Sequence, residues 1–177
     1  TFHDGEPFNA EAVKANVEFA KEAATPWAGQ LATIESVDTP DEYTVVLNLS
    51  SPNPSLPMTL TSRTLPIASP AAIADGSIAT HPVGTSPWAY DESQSVAGTR
   101  MFFAAFEDYW GEAPGFANVE LFAIAESESA AAALSTGEID LSDVEIESLP
   151  GFDGTSIESL QYPAIRNNLF FFDRAAG

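Results

Sequence analysis

Twenty-six Asp and Glu against six Lys and Arg give this 177-residue chain a net charge of −20, so an arginine with no acidic neighbour stands out. Arg63 is such a residue, set in Thr61-Ser62-Arg63-Thr64-Leu65-Pro66. A guanidinium presents a planar fork of donors that grips a carboxylate through two parallel hydrogen bonds, which makes Arg63 a candidate for holding a ligand's carboxylate. The plainer alternative is a structural ion pair with one of the many surface carboxylates. Trp27, directly after Pro26, offers its indole face either to a ligand or to the core.

Other chemistry finds little support. His3 and His81 are the only histidines, and neither belongs to a His-x-x-x-His type of spacing that would hold a metal. They read as turn histidines, one beside Asp4 and one before Pro82. With no cysteine, the chain has neither a disulfide nor a thiolate metal site. Gly84 and Gly111 stand alone rather than in a phosphate-cradling loop, Gly137 suits a helix cap, and no G-x-S-x-G elbow occurs. The acidic pairs Glu126/Glu128 and Asp143/Glu145 would suit glycoside hydrolysis only if held across a cleft at a defined separation. In a chain this acidic, such pairs arise by chance. No nucleophile comes with its base, and the residues propose no catalytic residue, no metal ligand and no cofactor.

Arg63 and Trp27 must be carried by regular elements, and several are well signalled. Asn9 is a good N-cap, Glu11 suits the positive first turn, and Phe8 can pack on Val13 as a hydrophobic staple. Val13, Val17, Ala20 and Ala24 recur at helical spacing until Pro26 ends the pattern, and Asp4-Gly5-Glu6-Pro7 ahead of it is a turn. Beyond Trp27, residues 34–37 and 43–49 predict a hairpin around Thr39-Pro40-Asp41-Glu42, with Tyr43, Val45, Leu47 and Leu49 on one face. A Pro-rich connector leads to a short helix over 56–60 that brings Arg63 to its end. Ser69 and Pro70 open another short helix, closed by Asp75-Gly76.

From Gly84 onward the pattern turns to strands, over 88–92, 99–106 and 118–125. The second is apolar on both faces, which predicts a central strand covered on both sides. Residues 127–136 read as a helix capped by Gly137, followed by a short strand at Ile139 and Leu141, which would complete a strand-helix-strand unit on a mixed sheet. Residues 157–161 and 168–172 supply the last predicted strands.

Composition bounds the class. A chain of 177 residues that is 45% hydrophobic buries about 70% of its unfolded surface, enough for one or two domains. Its charge excludes nucleic acid and disfavours anionic membranes, since phosphate binding needs clustered Lys and Arg. The acidic excess reads as a solvated surface. No apolar stretch approaches the ~20 residues of a membrane span, and no signal peptide is present.

Four landmarks in order carry a resemblance: Phe2-His3-Asp4-Gly5-Glu6-Pro7-Phe8-Asn9-Ala10-Glu11, Pro82-Val83-Gly84-Thr85-Ser86-Pro87-Trp88, Asp108-Tyr109-Trp110-Gly111, and Ser135-Thr136-Gly137-Glu138-Ile139-Asp140. Together they resemble the extracellular solute-binding proteins, family 5, that feed peptide and nickel ABC importers. The resemblance implies an α/β fold of mixed α+β character: a type II periplasmic-binding-protein-like lobe with a mixed sheet flanked by helices and a smaller α/β subdomain. Residues 1–80 would be that subdomain and residues 81–177 the main-sheet part running to the hinge, with an N-terminal strand segment and the second lobe lying outside the chain.

The implied function is capture of a small solute, a peptide or metal chelate, between two lobes for delivery to an ABC permease. Such a protein would act as a monomer outside the cytoplasm, carrying an export signal and in many bacteria a lipid anchor. Arg63 falls where nickel-chelate-binding relatives place a cleft arginine, and Trp27 near their cleft tryptophan. Trp88, Tyr109 and Trp110 would serve the core, and Ser86 replaces a usual Gly, which puts a left-handed backbone there in doubt. The alternatives weighed are a secreted carboxylate-dependent hydrolase and an acidic structural or adhesive domain.

Overall fold

The computed structural model describes residues 1–23, 25 and 27–159. The expected helix positions Ala24 and Pro26, and the strand at 168–172, lie outside the described residues. Two compact units divide at Ala123, the first being Thr1–Ala123 and the second starting at Ile124.

The first unit begins with Phe2, which is fully buried with Ala12, Ala72 and Val83. A turn at Gly5 (φ 90°) follows, and then helix α1, Ala10–Glu22. Asn9 caps α1 as expected, its Oδ1 accepting the Ala12 N–H at 3.0 Å. Phe8 lies beside Phe2, ring centroids 5.3 Å apart. Val17 is fully buried in a second cluster with Leu31, Ile34, Val37 and Leu56, and Val13 and Ala20 pack on the same cluster, as their spacing predicts.

Strands β1, Ile34–Asp41, and β2, Thr44–Leu49, form the expected antiparallel hairpin, but its turn sits two residues later than the sequence suggests. Thr39 and Pro40 remain in β1, and the loop is Glu42-Tyr43 between the paired Asp41 and Thr44. Two forces shift it. A register irregularity between Asp38 and Asp41 accommodates Pro40, which lacks an N–H for the ladder. Asp41 Oδ1 then accepts the Tyr43 N–H at 3.0 Å, fixing the turn there. Tyr43 therefore sits at the tip, 77% exposed, instead of sharing the buried face of Val45, Leu47 and Leu49.

Helix α2, Leu56–Leu60, and helix α3, Pro70–Asp75, each carry Pro in the first turn, and α3 ends at Gly76 (φ 78°). Ser69 precedes α3, but its hydroxyl makes no cap and donates to Asp4 Oδ2 at 2.5 Å. Ser69 N–H donates to Val83 and His3 N–H to Gly84, which sews the N-terminus to the segment leading into the second sheet. Asn16 does the same for α1. It is 3% exposed, its Nδ2 donates to Ala12 and Ala68 carbonyls at 2.8 Å each, and its Oδ1 accepts the Ala68 N–H at 2.8 Å. Ser86 keeps a negative φ, so no left-handed backbone occurs where Ser replaces Gly.

The second sheet has the order β3-β4-β5, from Trp88–Tyr90, Arg100–Ala105 and Asn118–Phe122, all antiparallel. Strand β4 is central as expected, but it is not covered on both sides. Phe102 is buried while Met101 on the other face is 45% exposed, beside Leu121 at 49%. Trp110, expected in the core, is 78% exposed in the loop after β4, and the Tyr109 ring lies tilted against it at 5.3 Å. Trp88 is partly buried, its indole N–H bonded to the Phe116 carbonyl at 2.9 Å.

In the second unit, helix α4 spans Ser127–Thr136 and ends at Gly137 (φ 73°), as the sequence predicts. The strand expected at Ile139 and Leu141 does not form. The amides of Gly137, Glu138 and Ile139 turn back onto the carbonyls of Leu134 and Ala133, so they are consumed by the helix cap, and Leu141 is 89% exposed. Residues 157–159 also carry no strand, and the rest of that expected element lies outside the described residues.

Two measurements check this account. Replacing Asn16 by Ala removes the partners of both Ala68 backbone groups, at about 1–3 kcal/mol for each polar group left unsatisfied, so urea unfolding is expected to show a loss of ~2–6 kcal/mol. The carboxyls of Asp41, Asp75 and Asp91 are each held below the ordinary carboxylate range: Asp41 chiefly by the Tyr43 amide, Asp75 by the Ser77 amide, and Asp91 by the Ser93 hydroxyl and then Gln94. A depressed folded-state value contributes stability above the ordinary carboxylate pKa, which is lost as pH falls through the folded value. Thermal melts of D41N/D75N/D91N are thus expected to fall less steeply on acidification than those of the parent chain.

Candidate functional site

Trp27 and Arg63 meet. Trp27 is the N-cap of a single 3-10 turn, Ala28–Leu31, whose Leu31 is fully buried and whose Gln30 N–H bonds the Trp27 carbonyl at 2.9 Å. Arg63 follows α2 in a turn set by Thr61 N–H to Met58 and Ser62 N–H to Thr59. Leu56 and Leu60 before it and Leu65 after it belong to the same apolar cluster as Leu31. Apolar burial therefore brings two segments distant in sequence to one place. There the Arg63 Cζ lies 5.7 Å from the centre of the Trp27 ring, a cation–π contact.

Both side chains face solvent, Trp27 with 39% of its surface exposed. The ion pair that would explain Arg63 structurally is absent: among the described residues the pairs within reach are His81–Glu92 and Arg100–Glu120. The indole face takes the place of a counter-ion, and among the described residues no hydrogen bond engages the guanidinium's donors. Beside Arg63, the Thr64 hydroxyl donates to Gln30 Oε1 at 3.0 Å and lies 2.7 Å from the Ser62 hydroxyl. Thr64 is 6% exposed, while Gln30 is exposed. Sequence reasoning passed over both. The available signal was a Gln three residues after Trp27, on the same turn, and a small polar residue flanking Arg63.

The other singled-out residues stay apart from this place. His3 Nε2 bonds the Ser86 carbonyl at 2.9 Å and its ring lies against Phe106. His81 sits 3.7 Å from the Glu92 carboxylate and edge-on to Tyr90. Among the described residues no group of His, Asp and Glu is arranged to hold a metal. Glu126, Glu128, Asp143 and Glu145 are all exposed, without the enclosure that two-carboxylate hydrolysis needs.

Residues 1–175 match the family described as bacterial extracellular solute-binding proteins, family 5, middle. A Brucella ovis protein provisionally assigned as an ABC transporter peptide-binding protein is 34% identical over 164 residues, covering 88% of this chain and 31% of that one. The binding protein AgaA of A. tumefaciens R10, solved with agropinic acid, superposes with a TM-score of 0.71 at 26% identity, over 78% of this chain and 29% of AgaA. Staphylococcus aureus NikA, solved with Ni(L-His)2, shares the fold with a TM-score of 0.77 at 20% identity, over 88% of this chain and 32% of its own. The chain thus spans about a third of the length of these relatives. In family match, in sequence and in its mixed α/β periplasmic-binding-protein fold, it belongs to the bacterial extracellular solute-binding proteins, family 5.

Proposed function

We propose that this chain is the part of an ABC importer's solute-binding protein that presents Arg63, backed by Trp27, to a carboxylate on the solute. The observation that carries the reading is the exposed guanidinium over an indole, with no carboxylate of the described residues paired to it in a chain of net charge −20. A cation left unneutralised in that field is an attractive landing point for an anionic group. The Brucella relative's assignment to peptides and the acid bound by AgaA both concern ligands with carboxylates, which supports the class. Residues 1–80 and 81–177 serve as the smaller and main-sheet subdomains of the first lobe.

The mechanism is capture without turnover. The whole protein samples open and closed arrangements of two lobes, and a solute that touches both lobes favours the closed one by its differential affinity. A membrane permease then reads the closed form. The protein works as a monomer outside the cytoplasm, where its acidic surface keeps it soluble.

Native mass spectrometry of the full-length protein, purified gently, tests the reading first. A retained solute is expected, with a mass that identifies it as peptide or chelate; a bare chain that also binds no member of a short-peptide library would overturn it. The full-length protein is expected to bind peptides with a free C-terminus and to lose affinity when that terminus is amidated. Arg63→Ala is expected to weaken the free-acid peptides roughly tenfold to a hundredfold, the worth of a hydrogen bond to a charged group, while leaving the amides unaffected. Equal loss for both peptide forms would assign Arg63 to the scaffold.

A further inference from the structure

Arg63 and Trp27 are held together through residues that touch no ligand in the reading above. The shared apolar cluster brings the turn Ala28–Leu31 and the end of α2 near each other, but burial is non-directional and sets no ring orientation. Among the described residues, one hydrogen bond joins the two segments: the Thr64 hydroxyl to Gln30 Oε1, 3.0 Å. Its two ends are well placed to transmit direction. Gln30 is on the same single turn that Trp27 caps, tied to it by the Gln30 N–H to Trp27 carbonyl bond. Thr64 adjoins Arg63 and is itself fixed: it is buried, and its N–H donates to Ser62 Oγ at 3.3 Å, while the Ser62 hydroxyl donates to the Thr59 carbonyl at 2.7 Å at the end of α2. Hydrogen bonds thus run from the end of α2 to the backbone that carries the indole: Thr59, Ser62, Thr64, Gln30 and the Trp27 carbonyl.

We infer that Gln30 and Thr64 are positioning residues which set the stacking of Arg63 on Trp27, and through it the direction in which the guanidinium presents its donors. The assignment rests on the proposed ligand role of Arg63 for its purpose, but the positioning itself is independent of any ligand. A hydrogen bond has a preferred angle, and among the described residues this is the one that directly joins the segment carrying the indole to the segment carrying the guanidinium. Thr64→Val keeps the shape and removes the hydroxyl, leaving Gln30 free to turn to solvent and the indole free to rotate off the cation.

NMR of the intact protein with arginine as the labelled residue tests this without a ligand. A guanidinium over an indole experiences the ring current, so the Arg63 side-chain protons are expected upfield of the other arginines, with Arg63→Lys identifying the signal and Trp27→Leu abolishing the displacement. In Thr64→Val and in Gln30→Ala most of the displacement is expected to vanish, and Thr64→Ser to retain it. Gln30 is exposed, so its variant reports even if the buried substitution perturbs folding. An undiminished displacement in Gln30→Ala, or no displacement in the parent, would overturn the inference. Carboxylate-blind peptide binding with the displacement intact would instead overturn the ligand role of Arg63 and leave the positioning standing.

Discussion

A single side-chain amide, that of Asn16, holds α1 to a strand-like segment with which it shares no ladder. By donating to the Ala68 carbonyl and accepting its N–H, the amide acts as one rung of a sheet between helix and loop. The segment after Ala68 leads at once to Ser69, which reaches both Asp4 and Val83. Loss of that rung would free the chain between α2 and α3, and with it the closure of Phe2 beneath Ala72 and Val83. Apolar burial supplies most of the driving force here, but it tolerates sliding, and the amide pair removes the sliding.

The same division of labour operates around Arg63. Leu31, Leu56, Leu60 and Leu65 bring two segments together through one cluster, and a short polar chain then orients what stands on it. In a strongly acidic molecule the easier fate for an arginine is a surface ion pair, like that of Arg100 with Glu120 at 3.2 Å. Arg63 escapes it because its local sequence, Ser62 and Thr64, carries no carboxylate and because the Trp27 face occupies one side of the guanidinium. Pairing with a π face instead of an anion spends none of the guanidinium's N–H donors on a counter-ion.

What the sequence discloses and what it hides divides along the range of the forces involved. Caps are local, so Asn9, Gly76, Gly137 and the Pro opening α3 mark their helices correctly. Val17 and its neighbours reveal their buried stripe for the same reason. The turn of the hairpin was misplaced because Thr39-Pro40-Asp41-Glu42 looks like a turn by composition, whereas the bulge and the Asp41 side chain decide where the chain reverses. Trp110 looks like core by its residue type, yet among the described residues only the neighbouring Tyr109 ring lies against it and it stays exposed. Arg63 and Trp27 were each visible as candidates, but their contact was not, since nothing in a linear sequence records that two segments share a cluster. Gln30 and Thr64 were invisible for the same reason: their significance lies in each other.

The tip of the first hairpin has one more consequence. The Glu42 carbonyl accepts the Ala10 N–H at 2.8 Å, and the Thr39 hydroxyl donates to the Glu11 carboxylate, so the hairpin end supplies a partner for the first amide of α1 and a second tie to its first turn. By exposure and composition Glu42-Tyr43 looks like an ideal place to graft a peptide tag or a fluorophore-bearing linker. It is a splice point already in use: lengthening it withdraws a cap from α1, and a graft engineer would do better at Glu112–Gly115, where among the described residues no backbone amide of a helix depends on the loop.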